Sequence, residues 1–141
     1  MATMIKFRAW DKRSEIYLYN VQDAYDTLSG FVKYDDGEDA DYDESCFGDF
    51  LDNERYDVEQ FTGLKDVNGK EIYEGDIIVS KPNELTFEPL KIGVVKRSKI
   101  NAGWSYRTAT DEYNIWTSGK YRTYEIIGNV HANPELLEGH K

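Results

Sequence analysis

Alternating apolar and polar positions open the chain, and this two-residue period is typical of a β-strand that is buried on one face. Odd-numbered residues from 5 to 9 are apolar, whereas the residues between them are basic. Turn-forming residues follow at 11–14, and residues 15–19 bring a second, largely apolar run. The pattern therefore predicts an N-terminal β-hairpin.

A second set of strand and turn signals begins at residue 56. Residues 56–61 alternate again and lead to Asn68-Gly69, a pair that favours a type I′ hairpin turn. Gly75 marks another turn, and the three β-branched residues 77–79 predict a strand with both faces at least partly covered. Further strands are predicted at 91–97, 104–109, 112–117 and 121–130, with one strand pair within 25–34.

Helical signals are few. Apolar residues at 47, 50 and 51 lie near helical spacing after Ser45, which predicts a short helix with Ser45 as its N-cap. Asn133, directly before a proline, predicts a last helical turn at 134–138.

The chain is therefore predicted to be mainly β. We predict an N-terminal β-hairpin region with a short helix over residues 1–55, which includes the acidic segment 35–55. A small SH3-like β-barrel with a C-terminal turn is predicted over residues 56–141. The length of 141 residues is sufficient for a real core, and aromatic residues, at 14% of the chain, supply large side chains to fill it.

Several segments in a fixed order carry a family resemblance. They are IKFRAWD at 5–11, FTGLKD at 61–66, NGKEIYEGDI at 68–77, and IGNV at 127–130 with NPEL at 133–136. On these segments the chain resembles the YopX family of phage and prophage proteins. The resemblance implies a gene from a phage or prophage of low-GC Gram-positive bacteria. It implies no catalytic or binding residues, because no activity is established for that family.

Composition excludes several classes of protein. No window has the roughly 18–20 apolar residues that a membrane span needs, and the N-terminus lacks the apolar stretch of a signal peptide. The single cysteine, Cys46, excludes an internal disulfide and a thiolate metal cluster. Together with the resemblance, this predicts a protein of the host bacterial cytoplasm with no membrane partner.

Charge is unevenly distributed along the chain. Residues 35–59 contain twelve Asp and Glu and one Arg, for a net charge of −11, although the whole chain carries −10. The candidate acidic patch consists of Asp39, Asp41, Asp43 and Glu44. The block is most simply a solvated loop. It also fits a mimic of DNA phosphates, a mask for a basic surface or a divalent-cation site. The spacing lacks the glycine and the last carboxylate of an EF-hand.

Residues 91–122 are basic and rich in aromatics, with seven Lys and Arg against two acidic residues. The candidate nucleic-acid-binding residues are Lys96, Arg97, Lys99, Trp104, Tyr106, Arg107, Lys120 and Arg122. Such strands suit the binding of single-stranded nucleic acid, because proteins that bind it combine a positively charged groove with aromatic side chains on which bases stack. They equally suit ordinary packing, with tyrosine and tryptophan in the core and lysine and arginine in solvent. Both interpretations stay open on the sequence.

Catalysis and cofactors have little support. The two histidines, His131 and His140, form no recognisable catalytic set, and Cys46 lies among acidic residues, which disfavour a nucleophilic thiolate. We predict a non-catalytic accessory protein without metal or cofactor that binds a macromolecule. The predicted partner is a host or phage protein. Nucleic-acid binding by 91–122 and DNA mimicry by 35–59 are the alternatives, and an open strand edge would also permit pairing with a second copy.

Overall fold

The structure is a computed structural model that describes residues 5–24, 30–82, 90–98, 103–115 and 122–138. Its strands form two antiparallel sheets, ordered β3-β2-β1-β4-β5 and β10-β6-β7-β8-β9, and helix is scarce. The mainly β prediction is confirmed. The chain divides into two compact units, 1–61 and 62–141, and the division falls within a strand.

The first unit contains the predicted hairpin and the predicted short helix. Its elements are β1 (Phe7–Asp11), β2 (Ile16–Tyr19), a 3₁₀ turn (Val21–Asp23), β3 (Lys33–Tyr34), α1 (Phe47–Leu51) and the start of β4 (Tyr56–Lys65). Ala9 of β1 and Leu18 of β2 are directly paired and point into the core. Phe50 of α1 is fully buried there and packs 4.8 Å, ring to ring, from Tyr56.

The second unit continues from β4 through β5 (Glu71–Tyr73), β6 (Asp76–Pro82), β7 (Lys91–Arg97), β8 (Trp104–Arg107), β9 (Glu112–Asn114), β10 (Arg122–Asn129) and α2 (Glu135–Glu138). The strand at 77–79 is buried on both faces, as predicted. Ile78, Val95 and Tyr106 form the centre of the core. None of the helices in the described ranges is long and apolar enough to cross a membrane.

Gly93 in β7 permits a close approach of β8. A Cβ atom at this position would lie 2.6 Å from the backbone oxygen of Arg107 and 3.1 Å from the ring of Tyr106. Any side chain larger than hydrogen would therefore push β8 away. The missing side chain lets the Tyr106 ring lie across β7 in the core, where only 1% of the residue is exposed.

The turn at 66–70 differs from the predicted type I′ turn. Gly69 has a left-handed φ of 80°, whereas Asn68 does not have a positive φ, so the turn is not type I′. Asp66 N donates to Lys70 O and Gly69 N to Asp66 O, which makes a three-residue loop with glycine in the left-handed position. The side chain of Asp66 stabilises this loop by accepting hydrogen bonds from the backbone N–H groups of Asn68 and Lys70.

The predicted SH3-like barrel is not confirmed, because the described strands form no closed barrel. β10 is an edge strand of its sheet, and the 66–70 loop covers part of that edge. Val67 N donates to Tyr124 O, and Ile126 N donates to the second carboxylate oxygen of Asp66 at 3.0 Å. These bonds occupy backbone groups that closure of a barrel would otherwise use.

The C-terminal motif is held by two asparagines. Asn129 Oδ1 accepts hydrogen bonds from the N–H groups of His131 and Ala132 and closes the turn after β10. Asn133 Oδ1 accepts from Asn129 N, and a Cβ atom on Gly128 would lie 2.7 Å from that oxygen. The predicted last helical turn is present as α2.

Candidate functional site

The acidic segment is an ordered, extended stretch in which alternate residues face solvent. Asp39, Asp41 and Asp43 are exposed, whereas Ala40 and Tyr42 between them are buried in the core of the first unit. Because an extended chain rises about 3.3 Å per residue, the three carboxylates project from one side at intervals of roughly 6.6 Å. We call these three residues the carboxylate row.

Hydrogen bonds at residues 38–41 join the first part of the carboxylate row to β3 and the residue before it. Tyr34 N donates to Glu38 O and Ala40 N donates to Val32 O, which forms an antiparallel bridge. Asp41 N then donates to the hydroxyl of Tyr34 at 2.9 Å. The interpretation of this part as a solvated loop is therefore incomplete, because the backbone of residues 38–41 is hydrogen-bonded even though the carboxylates face water.

Glu44 was a candidate for the acidic patch, and the structure places it in the interior. Only 9% of the residue is exposed, and its Oε1 accepts a hydrogen bond of 2.8 Å from the hydroxyl of Tyr56. Burial and this bond to Glu44 raise the pKa of Tyr56 well above its usual value. Glu44 follows the alternation that buries Ala40 and Tyr42, so its carboxylate bonds to the core residue Tyr56 instead of joining the exposed carboxylates.

The one basic residue within 35–59 does not neutralise the carboxylate row. Arg55 instead forms a bidentate pair with Asp11. Its Nε donates to Asp11 Oδ1 at 2.8 Å, and its Nη2 donates to Asp11 Oδ2 at 2.7 Å. Lys33 pairs with Asp39. Among the described residues, Asp41 and Asp43 have no cationic partner. The row therefore keeps most of its negative charge.

We expect the Asp11–Arg55 pair to make the protein less stable in acid. The Arg55 guanidinium, with help from the Ser14 hydroxyl and the N–H groups of Arg13 and Ser14, holds the pKa of Asp11 well below its usual range. Because the pKa of Asp11 is lower in the folded chain than in the unfolded chain, its carboxylate stabilises the fold at pH values above the unfolded pKa of about 3.9. This stabilisation is lost progressively as the pH falls from that value towards the folded pKa. Asp11→Asn should cost about 2 kcal/mol at pH 7.

The measurement is urea unfolding of both proteins between pH 7 and pH 2. The difference in free energy of unfolding between wild type and Asp11→Asn should shrink below about pH 4, where the carboxylate of the unfolded chain becomes protonated. A difference that stays constant over this range would contradict the role assigned to the pair.

Helix α1 and its flanks form a shallow acidic hollow beside the row. The hollow has a volume of about 550 Å³ and is lined by Asp43, Glu44, Asp49, Asp52, Asn53 and Glu54. Ser45 was predicted to cap the helix, but Cys46 occupies the N-cap position and Ser45 instead donates its N–H and hydroxyl to Asp49. These bonds lower the pKa of Asp49. In the described part of the chain, no group of His, Cys, Asp or Glu is arranged to hold a metal ion.

The candidate basic and aromatic residues are separated by the structure. Lys99 and Lys120 lie outside the described residues. Tyr106 is in the core, and Arg122 is buried, with its Nε donating to Ser80 Oγ at 2.5 Å. These two residues therefore serve the interior of the second unit.

The remaining four candidates lie on opposite faces of β7 and β8. Arg97 pairs with Trp104 on the face that carries the core, whereas Lys96 pairs with Ser105 on the other face. Arg107 shares that second face and lies 3.4 Å from Glu112. Lys91 and Tyr113 were not among the eight candidates, although they lie on the same face as Trp104. The strand alternation in the sequence is the signal that identifies them.

Comparison with known proteins places the chain in a family. The family described as YopX protein matches residues 6–138. The chain belongs to the YopX family. Protein EF1440 from Enterococcus faecalis is similar in structure, with 29% identity, a TM-score of 0.62, and coverage of 96% of this chain and 99% of that one. Protein yopX from Bacillus subtilis is 25% identical, with a TM-score of 0.57 and coverage of 96% and 98%. No curated protein sequence matches the chain significantly.

The segments that suggested the YopX family are built into the scaffold. Asp66 holds a loop to β10, and Asp76 Oδ2 accepts the N–H of Tyr73 and closes the turn at Gly75. The hydroxyl of Thr62 donates to Ile72 O at 2.8 Å. The carboxylate row and most of the basic aromatic strands lie outside those segments, so membership of the YopX family does not reveal what they bind.

Proposed function

We propose that this YopX-family chain is a non-catalytic interaction module that binds a basic surface of a host or phage protein through its carboxylate row. The ordered row of Asp39, Asp41 and Asp43 carries the proposal. Its backbone is joined to residues 32–34 by hydrogen bonds at residues 38–41, so a partner has less of the row to order on binding, and this lowers the entropic cost of association.

Charge supports the same partner chemistry. All residues of 35–59 are described, and nine of their twelve carboxylates are exposed. The exposed residues are Asp35, Asp36, Glu38, Asp39, Asp41, Asp43, Asp49, Asp52 and Glu54. A field of one sign over a fixed surface attracts an oppositely charged partner and accelerates the encounter.

The proposed place of action is the bacterial cytoplasm.

The non-catalytic part of the proposal is supported by the partners of the buried carboxylates. Glu59 Oε1 accepts hydrogen bonds from Arg8 Nε and from the hydroxyl of Tyr17, both at 2.9 Å. Glu44 and Asp66 are likewise bonded to groups that hold the fold. Carboxylates that are engaged in this way stabilise structure and are poor candidates for proton transfer.

Capture from lysate tests the proposal. We expect immobilised wild-type protein to retain a host protein with a basic surface, and the Asp41→Asn/Asp43→Asn variant to bind it at least tenfold more weakly, because both charges that lack a cationic partner are removed. Affinity for the identified partner is then measured by calorimetry at two salt concentrations, and wild-type binding should weaken as salt rises.

The matched control is Glu15→Gln/Asp23→Asn, which removes the same charge from exposed positions of the same unit outside the row. Its affinity should stay within about twofold of wild type. If both double variants lose affinity equally, net charge and not the row determines binding, and the proposal is wrong.

DNA mimicry is a second candidate, and the regular spacing of the carboxylate row favours it. Fixed carboxylates on one side of an extended chain resemble a run of phosphates to a DNA-binding protein. We expect double-stranded DNA to displace a partner that is held by mimicry. Displacement also requires the partner to bind that DNA by itself. A partner that DNA does not displace would leave the protein-binding proposal in place and exclude mimicry.

A further inference from the structure

One face of the second sheet presents two half-buried aromatic rings, each beneath a basic side chain. Trp104 and Tyr113 are partly exposed at the margin of the core. The guanidinium carbon of Arg97 lies 4.5 Å from the centre of the Trp104 ring, and the ammonium nitrogen of Lys91 lies 3.8 Å from that of Tyr113. Two cation–aromatic pairs therefore share this face.

The strand register explains why the pairs lie together. Arg97 is directly opposite Trp104, and Tyr106 is directly opposite Tyr113, two residues along β8 from Trp104. Tyr113 stacks on Tyr106 at 5.5 Å with 28° between the ring planes. Trp104 and Tyr113 are therefore diagonal neighbours on one face, at a separation of roughly 7–8 Å between backbones.

The surroundings hold the rings, whereas the two basic groups lie towards solvent. Tyr106 is fixed in the core because Gly93 leaves room for it, and it supports Tyr113 from below. Arg97 is exposed and Lys91 is partly exposed. An exposed cation–π contact is worth about 0.5–1 kcal/mol, whereas a nucleobase stacked on an aromatic side chain is worth about 1–3 kcal/mol. We therefore expect a base to displace the cation from the ring, and the displaced cation to contact a neighbouring phosphate.

We propose that this face binds single-stranded nucleic acid, with two bases stacked on Trp104 and Tyr113 and the flanking phosphates contacted by Arg97 and Lys91. The inference goes beyond the proposed function in two ways. It concerns the second unit of the chain, and its partner is negatively charged, whereas the proposed protein partner has a basic surface. It also narrows the eight basic and aromatic candidates to one strip, and it adds Lys91 and Tyr113.

Fluorescence anisotropy of a labelled oligothymidine with the intact protein tests the inference. We expect binding that weakens with salt, and a slope of log affinity against log salt that is less steep by about 0.7 for each of Lys91→Gln and Arg97→Gln, because each variant loses one phosphate contact. Trp104→Ala should lower affinity about tenfold. Trp104→Phe keeps apolar packing and should show a smaller loss.

Lys96→Gln is the matched control, because Lys96 adjoins Arg97 in the sequence and carries the same charge but lies on the other face. It should leave both affinity and salt slope unchanged. The Lys91 and Arg97 variants keep every core side chain, so the test does not depend on whether Trp104→Ala folds. Absence of binding at low salt would overturn the proposal. Equal losses for Lys96→Gln and Arg97→Gln, or equal affinity for a duplex without unpaired bases, would also overturn it.

Discussion

Replacing Gly93 by alanine should lower the free energy of unfolding by about 3 kcal/mol, near the upper end of the usual cost of overpacking. The added methyl group would lie 2.6 Å from the backbone oxygen of Arg107, and backbone cannot rotate out of the way as a side chain tip does. Relief requires β8 to move from β7, which disturbs the fully buried Val95 and Tyr106. Urea unfolding followed by circular dichroism measures the change.

The control is the same substitution at a glycine with space around it. Gly48 lies in α1, and a Cβ atom there would approach only Cys46 Sγ, at an ordinary 3.7 Å. Since alanine has the higher helix propensity, Gly48→Ala should be neutral or stabilising by up to about 1 kcal/mol. A Gly93→Ala protein as stable as wild type would show that β8 does not approach β7 as closely as the structure indicates.

Asp66→Ala should destabilise the protein by about 3–4 kcal/mol, because hydrogen bonds to a charged group contribute about 1.5–3 kcal/mol each and do not add fully. The buried carboxylate accepts N–H groups from Asn68, Lys70 and Ile126. The last of these lies 60 residues away in the sequence, so the substitution releases the loop from β10 as well as weakening the loop itself. Hydrogen exchange at the Ile126 amide should increase.

Two further variants isolate the cause. Asp66→Asn keeps one acceptor oxygen, so it should retain part of the stability and lose about half as much as alanine does. Asp36→Ala removes an exposed carboxylate that, among the described residues, accepts only the N–H of Glu38, and it should cost under about 1 kcal/mol. Equal losses at Asp36 and Asp66 would mean that the contact with β10 contributes nothing.

Much of the local structure was predictable because it depends on neighbouring residues. The alternation at 5–9 correctly located β1, and the strand predicted at 91–97 has the same bounds as β7. The β-branched residues 77–79 are buried on both faces of their strand. The turn at 66–70 was located correctly but assigned the wrong type. The pair Asn68-Gly69 by itself favours a type I′ turn. In the folded chain, the side chain of Asp66 accepts two N–H groups of the loop and one of β10, and these bonds stabilise the three-residue loop instead.

The candidate site residues show where sequence reasoning fails. Glu44 and Asp43 are adjacent acidic residues, yet one supports Tyr56 in the core and the other faces solvent. Arg122 and Arg97 are both basic strand residues, yet one is buried against Ser80 and the other is exposed over Trp104. The residue type alone does not distinguish the members of each pair. Their burial depends on the strand in which each residue lies and on the face of the sheet to which its side chain points.

The sequence by itself determined the mainly β class, the strand positions, the uneven charge and the YopX family, because periodicity, turn chemistry and motif order are properties of neighbouring residues. Only the tertiary structure decided that the acidic segment is an ordered row, that Arg55 is bonded to Asp11 and that Asp66 is bonded to β10. Those contacts join residues 44 and 60 positions apart. Their energy depends on distance and burial in the folded chain, which no short window of sequence contains.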